Sequence, residues 1–415
     1  MKVVIMAGGK GTRIALAAPG IPKPMISLCG KPILEHQIGC LAAQGLRDVT
    51  IVTGHLGSAI TNYFGDGSRF GVRISYFQET APLGTGGALF CLDGLGGDFL
   101  LINGDIIFDV DFERLIAFHR QKNALASLVS HPNNHPYDSG LLLVDRENRL
   151  TGWLTREEPR LYNHNLVNAG IHVISAGFLA QFSGFRGCKV DLDRELLKPS
   201  IPGGRIFAYK TPEYIKDVGT PERCRETGED IRAGRVAARS LRRKQRAVFL
   251  DRDGTINQAA GFISLPEDLV LLDGAGEALR RINDEGYLAV VVTNQAVIAR
   301  GECSPEMLDR IHQKMETELG RAGAFIDALY YCPHHPHKGF PGEVPSLKID
   351  CQCRKPKPGM LLAAAGDYNI DLAASWMVGD DDRDMEAGRA AGCRTFRGTV
   401  VDFAASRLMK SLSST

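Results

Sequence analysis

The chain has 415 residues, too many for one hydrophobic core of ordinary size, so two domains are expected. A hydrophobic fraction of 44% and a charged fraction of 23% exclude a disordered or fibrous protein. The formal net charge is +1, which gives no global attraction to nucleic acid or to an anionic membrane.

The chain starts MKVVIMAGG, an apolar run too short for a secretory signal. No stretch approaches the roughly 20 apolar residues that cross a bilayer, so a cytoplasmic protein is expected. A disulfide scaffold is not expected at this size in a reducing compartment. Seven of the ten cysteines (Cys29, Cys40, Cys91, Cys188, Cys224, Cys303 and Cys393) are scattered, whereas Cys332, Cys351 and Cys353 keep company with histidines.

In chain order, the first half offers strands at 2–6, 48–53, 72–77, 98–102, 124–130, 140–144 and 169–174, with helical patterns at 31–45, 85–92 and 111–122. The second half alternates a strand at 247–250, a helix near 273–285, a strand at 287–292, a helix near 304–320, a strand near 327–331, a helix at 358–366 and a strand at 375–378. This alternation predicts an α/β protein with a mainly parallel sheet covered by helices, built twice. Between the halves, 222–246 is polar and Arg-rich without aromatic interleaving, so it reads as a solvated linker or helix and not as a nucleic-acid patch. The expected domains are 1–230 and 247–405, joined by 231–246.

The first strand runs into Gly8, Gly9, Gly11, Thr12 and Arg13. Glycines there let backbone N–H groups face phosphate oxygens, and the Arg adds charge. Lys23 follows between two prolines that stiffen its backbone, placed to neutralise a transferring phosphate. AGGKGTR followed by PKPM resembles the nucleotidyltransferases that make NDP-sugars from an NTP and a sugar 1-phosphate, with Ile14 replacing a usual Leu. That resemblance implies a Rossmann-like, GT-A-like fold. It assigns Glu79, Gly84 and Thr85 in ETAPLGTGGAL to the base and ribose. Asn168 and Gly170 in NAGIHVI fall to the sugar. Asp105 in NGD and Asp217 in KDVGTPE would hold Mg²⁺. Where the family carries an EKP-type lysine for the sugar phosphate, this chain has Glu157, Glu158 and Pro159; Arg156 and Lys189 are the substitutes at hand.

VFLDRDGTIN places Asp251 and Asp253 just past an apolar strand. It resembles the DxDGT signature of haloacid-dehalogenase-like (HAD) phosphatases, which implies a HAD-like Rossmannoid fold. Asp251 is the expected nucleophile and Asp253 the acid–base residue. Two anions approaching each other require Mg²⁺, expected on Asp251, on Asp253 through its backbone carbonyl, and on Asp380. Thr293 in TNQ and Lys355 would hold the transferring phosphoryl group, and Arg354 and Arg300 would anchor substrate phosphate. Asp384 is a capping or supporting candidate.

Cys332-Pro-His334 and Cys351-Gln-Cys353 form two close pairs separated by a loop, a spacing suited to a closed tetrahedral Zn²⁺ site; His335 and His337 are rival ligands by spacing. The zinc loop with RKPKPGM resembles the D-glycero-D-manno-heptose 1,7-bisphosphate phosphatase group, with histidinol-phosphate phosphatases as the nearest alternative. This resemblance favours His334 as the fourth ligand.

The two resemblances together imply removal of the 7-phosphate followed by nucleotidyl transfer to heptose 1-phosphate, feeding surface glycans such as lipopolysaccharide. GTP and the α-anomer are favoured, and ATP with the β-anomer stays open. So do a mannose-1-phosphate-type guanylyltransferase and a first half that binds nucleotide without turning it over. Small molecules are the expected partners, without nucleic acid or membrane, and a homo-oligomer is left open.

Overall fold

The computed structural model describes residues 1–9 and 20–406. By its internal contacts the chain divides into two compact units. The first comprises Met1–His131, Leu142–Leu154 and Asn168–Ser240; the second comprises Pro132–Leu141, Thr155–Val167 and Leu241–Thr415.

A nine-stranded sheet underlies the first unit. Its parallel part runs Phe99–Asn103, Lys2–Ala7, Asp48–Thr53 and Arg73–Gln78. Val3, Val4 and Ile5 are fully buried, as an unbroken apolar run demands of a central strand covered on both faces. Val167–Ile174 pairs antiparallel with Phe99–Asn103, and Ile206–Lys210 lies parallel to Ala126–His131. A separate antiparallel ladder joins Ile106–Phe108 to Ile215–Asp217. These two strands are too short to announce themselves by alternation, yet they decide where the acidic residues meet.

The helix expected at 85–92 is a 3-10 turn, Gly87–Cys91. Gly86 and Gly87 give weak helical preference, and the Gly87 backbone presses against the Cys188 carbonyl, leaving no room for a regular turn's side chains. The Arg-rich stretch forms helices Pro221–Arg232 and Arg235–Ala238. Thr220 caps the first, its hydroxyl accepting from the Arg223 N–H, with Pro221 in the first turn. Cys224, Ile231 and Val236 pack onto Leu28, Ile33, Ile107 and Val218, so these helices belong with the first unit.

The second unit carries an all-parallel five-stranded sheet: Ala328–Cys332, Leu288–Asn294, Ala247–Leu250, Trp376–Gly379 and Arg394–Arg397. Alternate residues of the central strand serve opposite faces. Val248 and Leu250 pack with Leu279, Leu308 and Ile311. Ala247 and Phe249 pack with Met360, Leu361 and Ala387. Both faces are therefore buried, which makes the strand sequence continuously apolar. The chain leaves the central strand first to one side and later to the other. The carboxyl ends of these strands flank a topological switch point, where open α/β sheets bind ligands. No helix among the described residues is long and apolar enough to cross a membrane.

Candidate active sites

At that switch point Asp251 follows the central strand, Thr293 and Asn294 lie at the end of its neighbour, and Asp380 follows the strand on the other side. A cavity of about 320 Å³ opens there, lined by Asp251, Asp253, Thr293, Arg354, Lys355 and Asp380 among others. The turn after Asp251 needs glycine: Gly254 has φ +80°, and a Cβ there would meet an Asp380 carboxylate oxygen at 2.2 Å.

Lys355 is 1% exposed, and its Nζ lies 2.9 Å from Asp251 Oδ1 and 2.6 Å from Asp384 Oδ1. Burial works against its charge, but Asp251 and Asp384 outweigh it and raise its pKa. Lys355 is fixed by a reciprocal amide pair: Asn294 Nδ2 donates to the Lys355 carbonyl and the Lys355 N–H donates to Asn294 Oδ1, both at 3.0 Å. The sequence reading singled out neither Asn294 in this role nor the closeness of Asp384. Asp384 is buried, and its other oxygen accepts from the Asp381 N–H within a helix capping box. Burial pushes its pKa up to about 6, with Lys355 opposing and Asp251 adding to the rise.

Asp251, Asp380 and Asp384 each offer a carboxylate oxygen within 4.8 Å of the others. Desolvation and the charge of Asp251 push Asp380 upward. Three converging carboxylates in this state suit a hard divalent cation with oxygen ligands, which would relieve their repulsion. The Asp253 carboxylate is not in this group. It is engaged by Arg252, Asn257 and Gln295. Thr293 Oγ1 accepts from Gln295 Nε2 at 2.8 Å. Arg354 lines the cavity and donates to the His334 carbonyl at 3.0 Å. Arg300 does not line it: its guanidinium sits between the Phe262 and Phe340 rings, 4.4 Å from each centroid, and pairs with Glu302. Cation–π contact on both sides makes it a fastener of the loops that carry those rings.

Cys332, His334, Cys351 and Cys353 place their ligand atoms within 4.8 Å of one another. Burial pushes the Cys332 and Cys353 thiols up, a cost that binding of a thiolate-seeking metal removes. Three sulfurs and one imidazole nitrogen match a closed tetrahedral zinc site. His335 lies instead on the cavity beside Asp251, with its Nδ1 3.3 Å from the His337 carbonyl, so the rival ligands are not drawn into the group.

In the first unit, Lys23 pairs with Asp105 and lies 3.6 Å from Asp217. The short ladder registers Asp217 against Ile106, and the Val218 N–H donates to the Asp105 carbonyl at 3.0 Å, so two acids 112 positions apart share one lysine. Arg223 also bonds Asp217. Sequence reasoning missed it; its place in the first turn of the helix after DVGTP was the available signal. Gly8 passes so close to Glu79 that a Cβ would sit 2.4 Å from its Oε2. Glu79 accepts from the Leu83 N–H at 3.2 Å. Gly84 lies against the Val190 backbone, and Thr85 spends its hydroxyl accepting from the Leu192 N–H at 2.8 Å. Asn168 Oδ1 accepts from the Gly170 N–H, and Gly170 abuts Asn103. Gly9 is exposed. Gly11, Thr12 and Arg13 lie outside the described residues. Glu158 receives the Thr155 N–H, a local turn contact.

The chain matches the family model for nucleotidyl transferases over residues 2–195 and a HAD-hydrolase-like model over residues 352–397. It is similar to the solved structure of HddC from Yersinia pseudotuberculosis, with a TM-score of 0.48 and 23% identity, covering 55% of this chain and 99% of that one. It is 43% identical over 149 residues to a D-glycero-beta-D-manno-heptose-1,7-bisphosphate 7-phosphatase of Yersinia pestis, covering 36% of this chain and 77% of the relative. A D-glycero-alpha-D-manno-heptose-1,7-bisphosphate 7-phosphatase of Burkholderia mallei is 42% identical over 171 residues, covering 41% of this chain and 88% of the relative. A chain with a nucleotidyl transferase region and this aspartate-lined cavity thus belongs to the heptose-1,7-bisphosphate 7-phosphatase family.

Proposed function

We propose that the chain performs two consecutive reactions in the cytoplasm: removal of the 7-phosphate from D-glycero-D-manno-heptose 1,7-bisphosphate, then transfer of a nucleotidyl group to the resulting heptose 1-phosphate. The observation that carries the reading is the Asp251–Lys355–Asp384 constellation beside Asp380, in a chain whose relatives act on that bisphosphate.

In the second unit Asp251 attacks phosphorus and Lys355 holds its carboxylate while offsetting phosphoryl charge. Asp253 gives a proton to the departing sugar oxygen and later takes one from water. Arg354 is the anchor for substrate phosphate. Asp251, Asp380 and the Asp253 carbonyl would hold Mg²⁺, which would supply charge neutralisation between nucleophile and phosphate. Cys332, His334, Cys351 and Cys353 would hold a structural Zn²⁺: four protein ligands would leave no position for water, and the site would fix the loop that carries Arg354 and Lys355.

In the first unit Asp105 and Asp217 would hold Mg²⁺, and Lys23, with Arg13, would neutralise the phosphates of the nucleotide and sugar. Glu79 supports GTP as the donor. A carboxylate only accepts hydrogen bonds, and guanine presents adjacent N–H donors where adenine presents a donor beside an acceptor.

The test is a mass-resolved product assay. Purified protein receives each anomer of the bisphosphate with Mg²⁺ and GTP or ATP. The expected products are phosphate, pyrophosphate and one NDP-heptose, from GTP. Heptose 1-phosphate accumulating with every nucleotide intact would remove the transferase half, and both anomers surviving untouched would remove the heptose assignment.

A further inference from the structure

The acid–base residue Asp253 is held by a set of groups that the motif itself does not explain. Arg252 donates from Nε to Asp253 Oδ1 at 3.0 Å, and from Nη2 to Oδ1 and Oδ2 at 2.8 Å each. Asn257 Nδ2 reaches Oδ1 at 3.0 Å and Gln295 Nε2 reaches Oδ2 at 3.0 Å. Arg252 is fully buried, although its neighbours Asp251 and Asp253 both line the cavity. Its far nitrogen, Nη1, lies 3.3 Å from Nε2 of His312 on the helix Pro305–Arg321, and His312 is buried as well.

A guanidinium can only donate, so His312 Nε2 accepts and its ring is neutral. Burial first, then the Arg252 charge, holds the His312 pKa well below its ordinary value, in keeping with that role. A fully buried cation is costly, and an apolar side chain of similar volume would fill the same space at less cost. What a guanidinium adds is a rigid planar fork, which fixes the plane of a carboxylate as no ammonium does.

We propose that Arg252, backed by the neutral acceptor His312, is a positioning residue that sets the orientation of the Asp253 carboxyl for proton transfer to the leaving oxygen. This rests on the phosphatase reading. In the first step an Asp251 oxygen forms a bond to phosphorus, the bond from phosphorus to the sugar oxygen breaks, and the Asp253 proton moves to that oxygen. In the second step water attacks phosphorus, its proton returns to Asp253, and the bond from phosphorus to Asp251 breaks, releasing phosphate. A misoriented Asp253 impairs the first step in proportion to the basicity of the leaving oxygen. A sugar alkoxide needs the proton, whereas p-nitrophenolate leaves without it.

The experiment compares kcat/KM for p-nitrophenyl phosphate and for alkyl phosphates, ethyl phosphate and the heptose bisphosphate among them, in the full chain with Mg²⁺. Arg252→Lys keeps the charge and loses the fork. The alkyl-to-aryl ratio is expected to fall by about 30-fold or more, within the range that general acid catalysis contributes. His312→Leu, which removes the acceptor behind Arg252 without touching Asp253, is expected to lower the same ratio by a smaller factor, and it serves as the reading if Arg252→Lys does not fold. A ratio equal to wild type in either folded variant, or alkyl and aryl rates falling in parallel, overturns the proposal. Asp251→Asn is the control: full activity in that variant would sink the aspartyl mechanism and the proposal with it. A dead Asp251→Asn with an unchanged Arg252→Lys ratio refutes the positioning role alone.

Discussion

Replacing Lys355 with Met tests the electrostatic centre of the phosphatase site. The side chain is 1% exposed and neutralises two carboxylates, at 2.9 Å on Asp251 and 2.6 Å on Asp384. Removing one partner of a buried ion pair costs roughly 3–5 kcal/mol, because the remaining charge is left unpaired in a medium of low polarity. Here two carboxylates lose a shared partner, while Met fills much of the volume, so about 4 kcal/mol is expected at pH 8 without divalent cation.

The pH dependence carries the sharper test. Asp384 already stands at about 6, raised by burial and by Asp251 and held down by Lys355, so loss of the lysine moves it higher still. An acid whose folded pKa exceeds its unfolded value destabilises the fold progressively as pH rises from the unfolded pKa to the folded one, and fully above it. The loss in Lys355→Met is therefore largest at pH 8 and shrinks toward pH 5, where Asp384 takes up a proton. Urea unfolding of wild type and variant at both pH values measures it. A loss below about 1 kcal/mol at pH 8, or one equal at pH 5 and pH 8, would refute the reasoning.

Asp251→Asn is expected to lower phosphate release by about 10,000-fold or more while leaving pyrophosphate release from heptose 1-phosphate and GTP in place; parallel loss of both would contradict two independent sites. Asp217→Asn should do the reverse, lowering pyrophosphate release on the order of 100-fold and sparing phosphate release, both read by coupled assays. In Cys353→Ser, elemental analysis should find less than one zinc per chain and calorimetry a clear drop in Tm, corresponding to about 3 kcal/mol or more; full zinc content would exclude the Cys₃His site. His164 lies 2.7 Å from Glu316 and 3.0 Å from Asp309; burial acts to lower its pKa, but the two carboxylates outweigh it and hold it at about 10. Its stabilisation is complete below the unfolded pKa and fades as pH rises toward 10, so His164→Gln should cost about 2 kcal/mol at pH 6 and almost nothing at pH 10 in denaturant titrations.

Much of both sites was legible because their chemistry is written locally. Asp251, Asp253 and Gly254 lie within four consecutive residues, and the turn they make requires glycine at position 254. Thr293 and Asp380 could be placed because each follows an apolar strand, and parallel strands in one sheet deliver their carboxyl ends to one edge. The Cys332–His334 and Cys351–Cys353 pairs carried their own spacing. Arg300 resembled a substrate anchor by position alone, and the ring on each side of it could not be read from a linear sequence.

The sequence by itself determined the α/β alternation and singled out Asp251, Asp253 and the metal-binding residue types as candidates, since these depend on strand-to-turn transitions and short spacings. Only the tertiary structure decided that Asp217 meets Asp105 through a ladder of three residues per strand, that Asp384 shares Lys355 with Asp251, and that Arg252 and His312 stand behind Asp253. Each of those contacts is set by the packing of elements far apart in the chain, and the direction of a buried side chain follows from what surrounds it.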